Sequence, residues 1–203
     1  VGKILRELKK VSEKNVDGYK SFWKEYGAVL KEGLYECAER KETLLDLCRF
    51  STNENDEIMS LSSYLEKMPE NQKDIYYISA ETRSQALASP HLEGFKSKNI
   101  PVLIMTDAID QFWLPMIGSF KDKKFTSITQ GQINLDDLDE KNKDKKSENK
   151  DQKEKQDKEF VDLIAQMKVV LGEQVKDIRL SSKLTDSPVC LVADDGDMDI
   201  AME

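Results

Sequence analysis

The chain has 203 residues, of which 38% are hydrophobic and 34% charged, with a net charge of −8. That length suits one medium domain or two small ones, and so many charges mean that part of the chain is solvated rather than packed. The acidic balance argues against nucleic acid as a partner, since basic runs such as KDKK at 121–124 alternate with acids and form no stripe; no apolar run approaches the ~18 residues that a membrane helix needs.

The opening VGKILRELKK is amphipathic and lacks the apolar core of a signal peptide. Residues 3–50 read as three helices. Ile4, Leu5, Leu8 and Val11 form one stripe, Tyr19, Phe22, Trp23, Tyr26 and Leu30 a second, and Leu44, Leu45, Leu47, Cys48 and Phe50 a third. Gly33 is the expected break, and STNEND (51–56) closes the region with turn formers. SLSSYLEKM is a short helix with serines to cap it. DIYYIS (74–79) and PVLIMT (101–106) read as strands, with TRSQALAS and HLEGFKSK as the helices between them. Such a crossover predicts parallel pairing, and the unbroken apolar run of PVLIMT predicts a strand covered on both faces. AIDQFWLPMI is a further helix disturbed by Pro115, and KFTSIT an edge strand.

Residues 136–159 hold ten acids and eight lysines, with Leu138 as their one large apolar residue, so a solvated linker or charged helix is expected there. Apolar periodicity resumes with Phe160, Val161, Ile164, Met167, Val170 and Leu171, and Gly172 suits a helix C-terminus. QVKDIRLS and SPVCLVA read as two strands. The predicted fold class is therefore a mixture of α+β and α/β: a three-helix coil (1–56), a small α-β-α sandwich (57–135), a charged linker (136–157) and a partial α+β domain (158–203). The chain starts within a helical pattern without an initiator methionine, and at DMDIAME a new pattern opens without finishing, so a fragment of a longer protein is expected.

Little in the sequence points to catalysis. The glycine-rich phosphate cradles and the nucleophile elbow are absent. Cys37, Cys48 and Cys190, without CxxC spacing and with one histidine in the chain, argue against a zinc site and fit a reducing, cytoplasmic compartment. All three are expected to be inert thiols in apolar stripes or strands. His91 follows Pro90 in what reads as a helix entry. A free-standing enzyme using His91 with Asp107 or Asp110 is one alternative, but the sequence supplies no nucleophile, and Asp107 reads as an N-cap. The apolar material is more telling. Phe112 and Trp113 are adjacent, so helical geometry turns them ~100° apart, and either one of them faces outward or both are partly buried by neighbouring domains. Met198 and Met202 are four apart, where ordinary core packing is the first expectation and an adaptable contact surface the second.

FWKEYGAVLKEGLYE, LCRFST, SLSSYLEKMPENQKDIYYISAETR, SPHLEGFKSKNIPVLIMTDAIDQFW and VKDIRLSSKLTDSPVCLVADDG together resemble the heat-shock-protein-ninety chaperones, most of all their bacterial branch. The resemblance runs in order from about residue 4 to residue 203, apart from the charged insert. It implies that residues up to about 130 are the later part of that family's middle domain, its helical coil and small α/β unit. Residues from about 157 correspond to the start of the C-terminal domain, without its dimerisation helices. The family's nucleotide domain and catalytic arginine loop do not match anything here, so the resemblance implies no catalysis and no cofactor for this chain alone, with ATP and magnesium belonging to the full-length parent.

The resemblance also implies where clients are held. The family's Asp-Glu-Trp pattern falls on Asp110, Gln111 and Phe112, with Trp113 one place later, and a family asparagine falls on Pro115. An aromatic is kept while a charge and an amide are lost. Met198 and Met202 match two methionines of a second client surface. The expected site is thus Gln111, Phe112, Trp113, Pro115, Met198 and Met202. The expected partners are unfolded or partly folded clients and co-chaperones. The parent would be a homodimer, and this chain a monomer or weak oligomer. The alternative to client binding, besides the enzyme, is a structural spacer.

Overall fold

The computed structural model describes residues 2–131, 133, 135 and 148–194, the side chains of 38 and 148–159 apart. Helices α1 (Gly2–Lys14) and α2 (Val16–Glu36) part at Asn15, whose side chain accepts the Gly18 N–H and caps α2. The break expected at Gly33 does not occur. Gly33 lies within α2 because a Cβ there would come 3.3 Å from Leu44 Cδ1 of α3 (Lys41–Leu47), so close helix packing offsets the cost of a helical glycine. α2 ends at Cys37, whose N–H reaches back to the Gly33 carbonyl.

The third helix stops earlier than its apolar stripe suggests. Arg49 folds its guanidinium back onto the carbonyls of Asp46, Leu47 and Cys48, supplying donors to the open end of α3. The chain leaves as strand β1 (Arg49–Thr52), so the sheet begins ahead of the boundary drawn at residue 56. After β2 (Met59–Ser60), Ser60 caps α4 (Leu61–Lys67) by accepting the Ser63 N–H.

β3 (Ile75–Ser79) and β4 (Leu103–Met105) pair in parallel, Tyr77 opposite Leu103. Between them run α5 (Arg83–Ala88), opened by a Thr82–Gln85 capping box, a tight turn at Pro90–Leu92, and α6 (Glu93–Ser97). Helix α7 (Asp110–Ile117) follows β4 and ends at Gly118, which adopts a positive φ of 68°. KFTSIT is not an edge. β6 (Lys123–Ser127) lies between β3 and the two-residue strand β5 (Ser119–Phe120), because Lys121 and Asp122, both at positive φ, turn the chain back on itself. The six-stranded mixed sheet has the order β2-β1-β4-β3-β6-β5.

Strand alternation divides the core between the two faces. Ile75, Leu103 and Met105 join Phe50, Leu45, Leu47, Leu34 and Trp113 under the helical coil and α7. Tyr76, Ile78, Val102 and Ile104 join Leu92 and Phe95 under α5 and α6. PVLIMT is covered on both faces, as its unbroken apolar run predicts.

α8 (Glu148–Leu171) begins inside the segment read as a linker. Gly172 closes it at φ 51°. Phe160, Val161 and Val170 of its stripe are exposed, and Ile164, Met167 and Leu171 are half-buried. The two strands expected in 174–193 do not form. That segment's one ladder contact is an isolated bridge between Gln130 and Ala193, and its backbone donors are taken elsewhere. The N–H groups of Thr185, Asp186 and Ser187 all point to the Glu93 carboxylate at the start of α6, as does the Ser187 hydroxyl. Lys183 is buried, with its Nζ on the Ile128 carbonyl at 3.1 Å. Gly94 permits this approach: a Cβ there would stand 2.7 Å from the Lys183 carbonyl oxygen. Residues 181–193 are thereby strapped across α6.

Candidate binding surface

Helix α7 is short, and its two sides are chemically opposed. Asp110, Trp113, Leu114 and Ile117, at i, i+3, i+4 and i+7, face inward. Gln111 is half-buried, and Phe112, Pro115 and Met116 face solvent. Trp113 is 0% exposed, while Phe112 is 58% and Met116 55% exposed. Two adjacent aromatics thus divide as helical geometry requires, and Trp113 must be removed from the expected contact residues. Its ring packs between Phe50 and Phe125, at centroid distances of 6.2 and 5.5 Å, with no face left for a partner.

The inward side is fixed by charge. Asp110 is 1% exposed and lies against Lys31 of α2, which is 4% exposed, at 2.9 Å. The Trp113 indole N–H donates to Asp110 Oδ1 at 2.8 Å, and the Asp107 N–H approaches Oδ2 at 3.3 Å. Lys31 also donates to the Asp107 carboxylate at 2.7 Å and sits 4.9 Å from the centre of the Phe50 ring. Burial lowers the Lys31 pKa, but the Asp110 and Asp107 carboxylates more than offset this and hold the ammonium above its ordinary 10.5. Asp107 is therefore an ion-pair partner rather than the expected N-cap; Ile109 occupies that position, with no side-chain cap bond.

This cluster pins the first turn of α7 to α2. It leaves the second turn, Phe112 to Met116, as the protruding part. Pro115 lies in that turn and cannot donate to the Gln111 carbonyl one turn back. Tyr35 of α2, 50% exposed, meets Phe112 edge-on with ring centroids 6.3 Å apart at 77°. The exposed strip is thus Tyr35, Phe112, Pro115 and Met116. Met198 and Met202 lie outside the described residues.

Sequence reasoning missed Lys31 and Tyr35. A lysine four residues after Gly27 and three before Leu34, on a face otherwise apolar, is a signal of a buried acidic partner. Nothing local shows that Tyr35 meets α7, because that contact spans 77 positions and exists only once the sheet has formed.

The remaining candidates do not assemble a reaction centre. His91 is buried in the turn Pro90–Leu92, next to Leu92 and Phe95 on the face of the sheet opposite Trp113. Asp107 and Asp110 close on Lys31. Among the described residues no group of three or more His, Cys, Asp or Glu could hold a metal ion, and the carboxylate pair already engages an ammonium, so these residues do not fit magnesium. No described helix is long and apolar enough to cross a membrane. Cys48 is buried, which pushes its thiol up to about 12, whereas Cys37 is exposed at the end of α2 and Cys190 is half-buried outside any strand, so neither fits the buried positions expected for them.

Comparison with known proteins gives a consistent result. The family model described as Hsp90 protein matches residues 1–203. The chain is 44% identical over 201 residues to the chaperone protein HtpG of Roseobacter denitrificans, covering 99% of this chain and 32% of that protein. It is 42% identical over 193 residues to the HtpG of Mycobacterium avium, covering 95% of this chain and 29% of the relative. The chain thus spans about a third of the length of these curated relatives. Among solved structures, the middle domain of a Plasmodium falciparum heat shock protein superposes with a TM-score of 0.60 at 32% identity, over 64% of this chain and 55% of that one.

Proposed function

The chain belongs to the Hsp90 family, and from that premise we propose that it is the middle portion of an ATP-dependent cytoplasmic chaperone, with the start of the C-terminal domain, and that it holds unfolded or partly folded clients on the outer side of α7. One observation carries this reading: Phe112 and Met116 stand exposed on a helix whose other side is anchored by the buried Lys31–Asp110–Trp113 cluster. A surface meant for core would not leave its two large apolar side chains in water while burying a charge pair beneath them.

A rigid platform with a small apolar projection suits weak, repeated capture. Each contact contributes little, and several such sites on one dimeric parent raise avidity without a tight pocket. Nucleotide binding, hydrolysis and dimerisation belong to other parts of the parent, and the chain itself supplies no catalysis. The residues that touch the client are Gln111, Phe112, Pro115 and Met116, with Met198 and Met202 as a second patch.

The strap of residues 181–193 over α6 gives a route for coupling. Movement of α8 is passed to the sheet through Glu93 and Lys183 rather than absorbed by a free linker. The test is the affinity of the 203-residue chain for a reduced and alkylated, permanently unfolded protein, read by fluorescence anisotropy. The double substitution Phe112→Ser, Met116→Ser should weaken it about thirtyfold, each of the two apolar side chains being worth roughly 1 kcal/mol when a client covers part of it. Unchanged affinity in a variant of unchanged stability would leave the spacer reading.

A further inference from the structure

The strip on α7 has a charged border on α2. Glu32 lies three residues before Tyr35 and Glu36 directly follows it; both are exposed, and among the described residues neither enters an ion pair or a side-chain hydrogen bond. Residues three apart on a helix have Cβ atoms about 5–6 Å apart, so Glu32 and Tyr35 are neighbours on the surface of α2. The C-terminal end of the 21-residue helix α2 lies beside the Tyr35 ring, adding the partial negative charge of its last carbonyls. Between Lys24 and Cys37 the one base on α2 is Lys31, whose ammonium is buried against Asp107 and Asp110. Lys24 itself stands about 16 Å back along the helix axis from Tyr35. Arg40 and Lys41 come after the helix has ended.

The face of an aromatic ring flanked by carboxylates that enter no ion pair attracts a cation, and the carboxylates repel an acid. Resting on the client-binding reading above, we propose that this strip selects among unfolded segments: it takes those in which a large apolar residue lies next to Lys or Arg, with the apolar side chain on Phe112 and Met116 and the cation over the face of Tyr35 on the side of Glu32 and Glu36. The same carboxylates turn away acidic segments, which gives a chain of net charge −8 a choice among clients that apolar contact alone does not provide.

Two short fluorescein-labelled peptides test this, identical except that one carries Lys and the other Glu on both sides of a Leu-Phe pair. The 203-residue chain should bind the lysine peptide more tightly by about threefold to tenfold, the range for two exposed ion pairs, and added salt should narrow the gap. In the double variant Glu32→Lys, Glu36→Lys the preference should vanish or reverse, and Tyr35→Ser should reduce it. Glu32 and Glu36 are exposed and Tyr35 meets only the exposed Phe112 ring among aromatic partners, so circular dichroism should show unchanged folding. If charge reversal leaves the preference as it was while Phe112→Ser weakens both peptides, the selectivity is overturned and the binding strip stands. If Phe112→Ser changes neither peptide, or neither binds the unaltered chain, the strip and its selectivity both fall.

Discussion

Replacing Lys31 with methionine tests the anchor beneath the exposed strip. The substitution keeps the volume of the side chain and removes its charge, leaving the Asp110 carboxylate 1% exposed with the Trp113 indole and one backbone N–H for company. Removing one member of a buried ion pair costs roughly 3–5 kcal/mol. The lower end applies here, about 3 kcal/mol, because Asp110 keeps its other donors and solvent still reaches Asp107. For a chain of this size that corresponds to a fall in Tm of about 6–12 °C. Urea unfolding followed by tryptophan fluorescence reads it, since Trp113 touches the perturbed carboxylate. The double variant Lys31→Met, Asp110→Asn should recover more than half of the loss, because no buried charge is then left alone. The Lys31 contribution should be constant through neutral pH. Its native pKa is raised, so the stabilisation is complete below the ordinary 10.5 and is lost only as pH climbs through the higher native value. A loss below about 0.5 kcal/mol in the single variant, the range of an ordinary surface change, would refute the buried cluster as the anchor of α7.

The strap should respond to acid. Hydrogen bonds from the Ser187 hydroxyl and from the Asp186, Thr185 and Ser187 N–H groups lower the Glu93 pKa from 4.5 to about 2. The bond network is therefore present above pH 4.5 and lost as pH falls from there toward 2, and the protection of residues 185–187, taken relative to the intrinsic exchange rate at each pH, should fall across that window. Glu93→Gln should speed that exchange at neutral pH while leaving β3 and β4 protected; equal protection in both proteins would count against the strap. Thiol labelling should separate the cysteines: Cys37 reacts in the native state, whereas Cys48, buried and raised to about 12, reacts only on unfolding. Equal native rates would contradict the packing of α3 on the sheet.

Where a local pattern and the tertiary environment agree, the sequence was sufficient. PVLIMT is apolar on both faces because α7 and the coil cover one side and α5 and α6 the other. Ser60 and Thr82 cap the helices that follow them. The misreadings arise where a distant group decides. Gly33 reads as a break until Leu44 fills the space it leaves, and Phe50 reads as helical until Arg49 is seen to close α3. QVKDIRLS and SPVCLVA have strand composition, but the Ile178 N–H goes to its neighbour Asp177, and the two ends of SPVCLVA go to Glu93 from Ser187 and to Thr129 from Ala193 rather than to a neighbouring strand. At the site, adjacency required that Phe112 and Trp113 diverge without saying which turns inward. The choice belongs to Asp110, three residues before Trp113 and paired with a lysine 79 positions away.

The most direct measurement of the central claim is site-specific photocrosslinking of an unfolded protein to a benzophenone side chain. The probe is placed in turn at Met116 on the strip and at Val29, comparably exposed on the far side of α2. Client capture on α7 predicts strong crosslinking from position 116 and little from position 29, with the 116 signal lost when Phe112→Ser is added. Equal yield from both positions would mean that exposed apolar surface alone is responsible, and would contradict the assignment of α7 as the holding surface.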